Sequence, residues 1–343
     1  MSSSVRWYAG EGAKRWLAYS GGLSGSGLRL RYGFDGWQEP IGEVALEQVD
    51  SHLAVAEISG SEGHLALDCA ITDGSAWDNN RGVDYRLWIR FDPLDAHLHV
   101  SGEGAGALGI RNLGTAMASA GMVAGISSWI NNQALDRVDL RAASLFPLVW
   151  VRPGQTPIED VRKRLANSAV GLKLHPTVDD YPADHPGLDR YMELAERVGC
   201  PVACHSAPGL ADPDHIRRLA ERFPQVPVIL YHTYLGPYEG RARALAHALE
   251  QPNLYLETSW CRWGVVRGLI AGLGADRILF GSDASIDGPA HYTRQPPNVE
   301  GAETYNQGLL ELVRSLDPDV SRKLMGDNAR RLFHLNGNAD RRS

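Results

Sequence analysis

The sequence predicts an α/β protein built as a (β/α)8 TIM barrel preceded by an all-β sandwich. Three observations predict it. Beyond Asp92-Pro93, short apolar runs alternate with helical stretches, as βα units around a parallel sheet require. Eight such runs can be traced, the number that closes a barrel. Up to about Arg90 the chain instead carries short alternating runs, many aromatic residues and glycine-rich breaks, with no long amphipathic helix pattern. Residues 1–90 are therefore assigned to the sandwich, and 91–343 to the barrel with C-terminal helices.

In the first region, Leu28-Arg29-Leu30-Arg31-Tyr32 and Leu65-Ala66-Leu67-Asp68-Cys69-Ala70-Ile71 alternate like antiparallel strands with one face buried. Breaks at Gly21-Gly22 to Gly27 and at Asp73-Gly74-Ser75 separate them. In the second region, strands are expected to end near His99, Ser127, Val151, His175, His205, His232, Thr258 and Asp283. Helices are expected over Ile158 to Asn167, Leu188 to Val198, Pro213 to Arg222 and Arg241 to Leu249. Asp212 is placed to cap the third of these ahead of Pro213.

Active sites of such barrels lie at the C-terminal strand ends, so polar residues there have a functional default reading. In Leu94-Asp95-Ala96-His97-Leu98-His99 the period of two turns His97 and His99 to one side, where two imidazoles can share an ion. In Gly171-Leu172-Lys173-Leu174-His175-Pro176, Lys173 and His175 share a face, and a lysine aimed into a barrel is costly unless paired or modified. Cys204-His205-Ser206, Tyr231-His232-Thr233 and Gly281-Ser282-Asp283 each follow an apolar run. One strand-end histidine is weak evidence; the ordered set points to a metal centre.

This ordered set, with the closing Met325-Gly326-Asp327-Asn328-Ala329-Arg330-Arg331-Leu332-Phe333, resembles the amidohydrolase superfamily, specifically its second branch of metal-dependent hydrolases and decarboxylases, over about residues 92 to 336. The resemblance implies that His97, His99 and Asp283 bind a divalent ion and that His205 completes that site or holds a second ion. Zinc is the first expectation, with manganese or iron as alternatives. Asp283 would also take the proton from the attacking water, whose acidity the ion raises, and pass it to the leaving group. His232 would polarise the scissile carbonyl or bind a second ion. Lys173 resembles a lysine that, carbamylated, bridges two metals, with His175 then touching substrate; a salt-bridged barrel lysine is the other reading, and one or two ions both stay open. Arg152, Tyr234, Trp260, Arg262 and Trp263, on loops past strand ends, are further candidates for contact with a substrate carboxylate or ring, ordinary loop packing being the other reading of each, and Glu257 is either a supporting or a simply paired group. His185, His215, His247, His291 and His334 fall away from strand ends, and solvent exposure is expected for them.

Tyr32-Gly33-Phe34-Asp35-Gly36-Trp37 and Trp77-Asp78-Asn79-Asn80-Arg81-Gly82-Val83-Asp84-Tyr85 resemble starch-binding carbohydrate modules. That resemblance implies a glycan site with Trp37 and Trp77 as stacking platforms. Core or interface anchoring is the competing reading of both tryptophans, with the module covering the barrel mouth or mediating homo-oligomerisation instead.

Composition narrows the partners. A net charge of −7, with 43% hydrophobic and 22% charged residues, is that of an ordinary globular chain and gives no reason to expect nucleic acid or anionic membrane. The start of the chain lacks a secretory layout, no apolar run reaches spanning length, and four scattered cysteines do not form a disulfide framework; a cytoplasmic address with reduced thiols is expected. Cys200 and Cys204 are spaced like half a zinc site but read as strand packing. The leading function is hydrolysis of a C–N or C–O bond in a small molecule, such as a cyclic amide, ester or lactone. Non-oxidative decarboxylation of a small carboxylic acid is the alternative, and a glycan-binding or scaffolding protein with an inactive barrel the alternative of another class.

Overall fold

The computed structural model describes residues 4–10, 14–25, 27–100, 110–129, 132, 140, 144–284 and 305–335. His291 lies outside them. Nine antiparallel strands come first: β1 Ser4–Ala9, β2 Lys14–Ser20, β3 Arg29–Phe34, β4 Gln38–Ala45, β5 Glu47–Gln48, β6 Ala54–Ser59, β7 Ala66–Thr72, β8 Trp77–Asp78 and β9 Tyr85–Trp88. They form two sheets, one ordered β1-β2-β6-β5 and the other β4-β3-β7-β8, with β9 on β7. Leu17, Tyr19, Ala56 and Ile58 of the first sheet share one buried cluster with Leu30, Leu67, Cys69 and Ile71 of the second. The alternation along β3 and β7 supplies that face, because successive side chains of a strand point to opposite sides.

The other face of β7 is also buried. Ala66 and Trp88 belong to the core of the following barrel. Trp88 Nε1 donates to Ala120 O at 2.9 Å, and Asn80 Nδ2 to Thr115 O at 2.8 Å. Both acceptors lie on α1, Ile110–Ala120. The sheets thus dock on the outer wall of the barrel. Much of the run that suggested a carbohydrate module is engaged in holding this arrangement: Asp78 accepts from the hydroxyls of Tyr19 and Tyr85 at 2.7 Å each, and Asn79 accepts from Gly82 N at 3.0 Å.

The barrel strands are β10 Leu94–His99, β11 Ala124–Ser128, β12 Leu145–Trp150, β13 Gly171–Leu174, β14 Val202–His205, β15 Val228–Tyr231, β16 Leu254–Glu257 and β17 Ile278–Leu279, all parallel and paired in sequence order. Near-continuous burial along them explains the unbroken apolar runs, since helices cover the outside and side chains fill the inside. The chain beyond β17 returns to the first strand: Ala96 N donates to Phe280 O at 2.8 Å and Asp283 N to His97 O at 2.9 Å. The outer helices are α2 Ile158–Asn167, α3 Pro176–Asp179, α4 Asp189–Val198, α5 Pro213–Arg222, α6 Tyr238–Glu250 and α7 Trp263–Leu273. Asp212 caps α5 by accepting from Asp214 N, as expected ahead of a proline at the first position. After α8 Tyr305–Ser315 and α9 Pro318–Arg322, α10 Asn328–Leu332 brings Leu332 and Phe333 against Ala96, Ile126, Ala203 and Ile229. This apolar group fills the barrel below the polar strand ends. Among the described residues no helix is long and apolar enough to cross a membrane.

Candidate active site

Five strand ends bring their polar residues together. His97 and His99 leave β10 with their Nε2 atoms 3.0 Å apart, and Asp283 Oδ1 lies 3.2 Å from the first and 3.0 Å from the second. Ligand atoms of His97, His232 and Asp283 also lie within 4.8 Å of one another. His205 joins through His232, its Nδ1 standing 3.1 Å from His232 Nε2. His175 follows β13, caps α3 by accepting from Val178 N, and stacks on His205 at 4.0 Å between centroids with Trp150 on its other side at 5.3 Å.

The backbone is bent to make this convergence. His232 and Asp283 adopt φ of +67° and +60°, a left-handed conformation unusual for a residue with a Cβ. Each is held there by a buried partner: Asp283 N by His97 O, and His232 N by Glu257 Oε2 at 2.9 Å. Strain of this kind persists only where surrounding contacts over-determine it, which is typical of functional sites.

Glu257, at the end of β16, is the hub of the polar network. Its Oε2 accepts from Ser259 Oγ at 2.7 Å and faces His97 Nδ1 at 3.0 Å, while Oε1 accepts from Ser259 N. Ser259 Oγ in turn lies 2.8 Å from His232 Nδ1 and 3.2 Å from His97 Nδ1. Asp95 has a comparable structural task, accepting from His97 N at 2.9 Å and Ser282 N at 3.0 Å, so it ties the first strand to the last. Trp260 Nε1 donates to Asp283 Oδ2 at 2.7 Å, leaving Oδ1 to the histidines.

Burial governs the charge states. It holds His97 well below the usual histidine range and His232 and His175 down to about 3, helped by the neighbouring lysine and imidazoles, and it lowers His205 further still. The rings are therefore neutral, with lone pairs to offer. Burial alone would raise Asp283, but the hydrogen bonds from His99 and Trp260 and the field of His232 keep it below the usual carboxylate range. Glu257 is pushed up to about 8 by burial against the donors that favour its ionised form. Lys173 is fully buried, its Nζ has no hydrogen-bond partner among the described residues, and it sits 3.8 Å from the centre of the Tyr231 ring. Burial lowers it to about 7. The salt bridge that one reading of the sequence offered for it is not among the described contacts.

The donor set fits a divalent ion. Tetrahedral ligand atoms about 2.0–2.1 Å from zinc stand roughly 3.3 Å apart, close to the spacing of the two Nε2 atoms and Asp283 Oδ1.

Other sequence expectations fare differently. Arg152 reaches the same end of the barrel but its Nε is bound to Asp179 at 2.5 Å, beside the Trp150 indole bound to the same carboxylate. Tyr234 is buried, its ring occupying the space that a Cβ at Gly236 or Gly240 would need, so it packs under the start of α6. Arg262 is exposed just before α7, and the neighbouring Trp260 reaches the cluster instead. His215 and His247 are hydrogen-bonded to Asp184 and Asp214 at 2.7 and 2.6 Å and only partly exposed, a correction to their expected exposure. Ser259 and Ser128, which meets His99 Nδ1 at 3.2 Å, were not anticipated. Their only signal is a strand-end position. The four cysteines are buried free thiols.

A family model described as Amidohydrolase matches residues 49–335, beginning within the antiparallel sheets. Solved structures of similar fold include a probable 2-pyrone-4,6-dicarboxylic acid hydrolase from Acinetobacter baumannii with citric acid bound, at 14% identity, covering 71% of this chain and 100% of that one, TM-score 0.54. They also include 2,6-dihydroxybenzoate decarboxylase from Rhizobium, at 16% identity over 72% and 100%, TM-score 0.52. A third is 5-carboxyvanillate decarboxylase from Novosphingobium aromaticivorans complexed with manganese and 4-hydroxy-3-methoxy-5-nitrobenzoic acid, at 12% identity over 71% and 96%, TM-score 0.51. At these identities the likeness is one of fold. No curated protein sequence matches the chain.

Proposed function

This chain belongs to the amidohydrolase family and is an enzyme of that type, and from that premise we propose that it is a metal-dependent hydrolase acting with water on a C–N or C–O bond of a small cyclic amide, ester or lactone. The observation that carries the reading is the meeting of His97 Nε2, His99 Nε2 and Asp283 Oδ1 within 3.2 Å of one another. These three residues would hold the ion, zinc first and manganese or iron next, with His205 as a further donor. Such an ion supplies the Lewis acidity that makes water a nucleophile near neutral pH and polarises the scissile carbonyl.

Asp283 takes the proton of the attacking water and returns it to the leaving group; its low proton affinity before reaction and its indole-anchored Oδ2 keep it ionised and aimed. Both nitrogens of His232 are bonded to protein, to His205 and Ser259, and burial keeps the ring neutral, so it acts through His205. His175 and Arg152 line the approach and are proposed to contact substrate, Arg152 pairing with a carboxylate. Lys173 would help hold a second ion: its buried amine, lowered to about 7 and without a hydrogen-bond partner among the described residues, could in its neutral form add to carbon dioxide, losing a proton to give a carbamate whose oxygens would serve as donors. Intact-mass measurement of the native protein would show that addition, and an unmodified Lys173 would leave a single ion.

The deciding assay follows ring-opening and carbon dioxide release side by side on lactones, cyclic amides and aromatic carboxylates, including the pyrone and hydroxybenzoate classes. Hydrolysis without carbon dioxide release is expected; the reverse would make the protein a decarboxylase. A purified protein that takes up no stoichiometric divalent ion would remove the metal reading altogether. For the N-terminal region, the shared core of the two sheets supports a sandwich over about residues 1–90, and half-exposed Trp77 supports a glycan contact, since its face is open to a pyranose. Trp37 stands at the opposite end of β7, so the two do not form one platform. Affinity electrophoresis in starch would detect such a contact.

A further inference from the structure

Building on the ion-binding role proposed for this cluster, we infer that Glu257, acting through Ser259, is the positioning residue that fixes the tautomers of His97, His232 and His205, leaving Nε2 of His97 and of His205 as lone-pair nitrogens for the ion. The direction of the network follows from donors that cannot turn round. The backbone N–H of His232 points at Glu257 Oε2 and that of Ser259 at Oε1, so both carboxylate oxygens act as acceptors. With Glu257 as the carboxylate, which has no proton to give, the other two partners of Oε2, Ser259 Oγ at 2.7 Å and His97 Nδ1 at 3.0 Å, donate. A neutral His97 with its proton on Nδ1 has its lone pair on Nε2, the atom that faces His99 and Asp283.

Ser259 carries the same order one step further. Having given its hydroxyl proton to Glu257, Oγ accepts from His232 Nδ1 at 2.8 Å. His232 Nε2 is then a lone pair, and His205 Nδ1, 3.1 Å away, must donate to it. His205 is left with its lone pair on Nε2. Were the network reversed, Nε2 of His205 would carry a proton and could not bind an ion. One carboxylate on the seventh strand therefore sets donor atoms on the first and fifth, and its hold on His232 N also maintains that residue's left-handed backbone. An amide cannot replace it: in Glu257→Gln, either orientation of the side chain presents N–H to a backbone N–H or to the Ser259–His97 side.

The test is a long-range 1H–15N spectrum of the full-length, metal-free protein labelled with 15N-histidine, in mildly alkaline buffer, with single histidine variants for assignment. Nδ1–H tautomers are expected for His97, His232 and His205. Glu257→Gln should alter all three and weaken zinc binding by about ten- to a hundredfold while the thermal transition stays cooperative. Ser259→Ala should change the tautomers of His232 and His205 and leave His97 in its Nδ1–H tautomer, which Glu257 Oε2 still accepts, a selectivity that general loosening would not give. If Glu257→Gln does not fold, the Ser259→Ala pattern decides alone. An Nε2–H tautomer at His97 or His205 in the native sequence, or unchanged His232 and His205 spectra in Ser259→Ala, would overturn the inference. Expected tautomers in a protein that takes up no zinc would support the positioning role and sink the metal-hydrolase reading instead.

Discussion

At the scale of single residues, the site divides into atoms that face the ion and atoms that hold them. His97→Ala removes one facing nitrogen from a buried, well-supported position. Metal content and activity should both be lost while the circular dichroism spectrum persists, and a folded, fully active variant would contradict the assignment. Asp283→Asn preserves shape but cannot accept the proton, so kcat should fall by about 10²–10⁴-fold. Measuring kcat separately from metal content distinguishes this from loss of the ion. Trp260→Phe deletes the bond to Asp283 Oδ2 and should cost less, of order tenfold, because the histidines still face Oδ1.

Elements set how closely those residues can approach. Gly281 lets the last strand pass the first: a Cβ there would lie 2.6 Å from Glu257 Cδ and 2.8 Å from His97 Cβ. Gly281→Ala should therefore destabilise by about 1–3 kcal/mol, the usual cost of overpacking, and disturb metal affinity through Glu257. Chemical denaturation with a parallel zinc titration would reveal both effects. On the outer wall, Asp214 in the first turn of α5 bonds to His247 of α6, and its carboxyl is held below the usual range chiefly by that bond. Its contribution is present above the unfolded aspartate value of about 3.9 and fades as pH falls through the lower folded value. Asp214→Asn should thus be less stable than the native sequence near neutrality and converge with it in acid, as urea titrations across pH would show.

For the whole molecule, the antiparallel sheets are a lateral buttress. Their inner strands β7 and β9 bury against α1, and Asp35 faces Arg314 of α8 at 3.7 Å, so they reinforce the helices that follow the first and last barrel strands. The first of these strands carries His97 and His99, and the chain just past the last carries Asp283. Trp88→Ala, removing a fully buried indole, should cost about 3–5 kcal/mol. Barrel and sheets should lose stability together in a melt followed by both tryptophan fluorescence and circular dichroism; two separated transitions would show that they fold independently.

Much of this was readable in the sequence by itself. Buried parallel strands must be apolar on both faces, so each appears as a short run, and a polar residue at its end stands out; hence His99, His205, His232 and Asp283 could be placed at strand ends from order alone. The antiparallel strands were legible for the opposite reason, their alternation. What the sequence could not reveal was which end met which. Glu257 and His97 are 160 positions apart, and Ser282 and Asp95 are 187 apart. Nothing local marks Ser259 as a bridge between two histidines, or Trp260 rather than Arg262 as the residue that reaches Asp283. Likewise the partners that Asp78 and Asn80 meet, the hydroxyls of Tyr19 and Tyr85 and the carbonyl of Thr115, are set by how the sheets pack. Local pattern determines where a polar side chain leaves its element; only closure of the barrel determines the partner it meets, because that depends on strand register and on backbone turns such as those at His232 and Asp283.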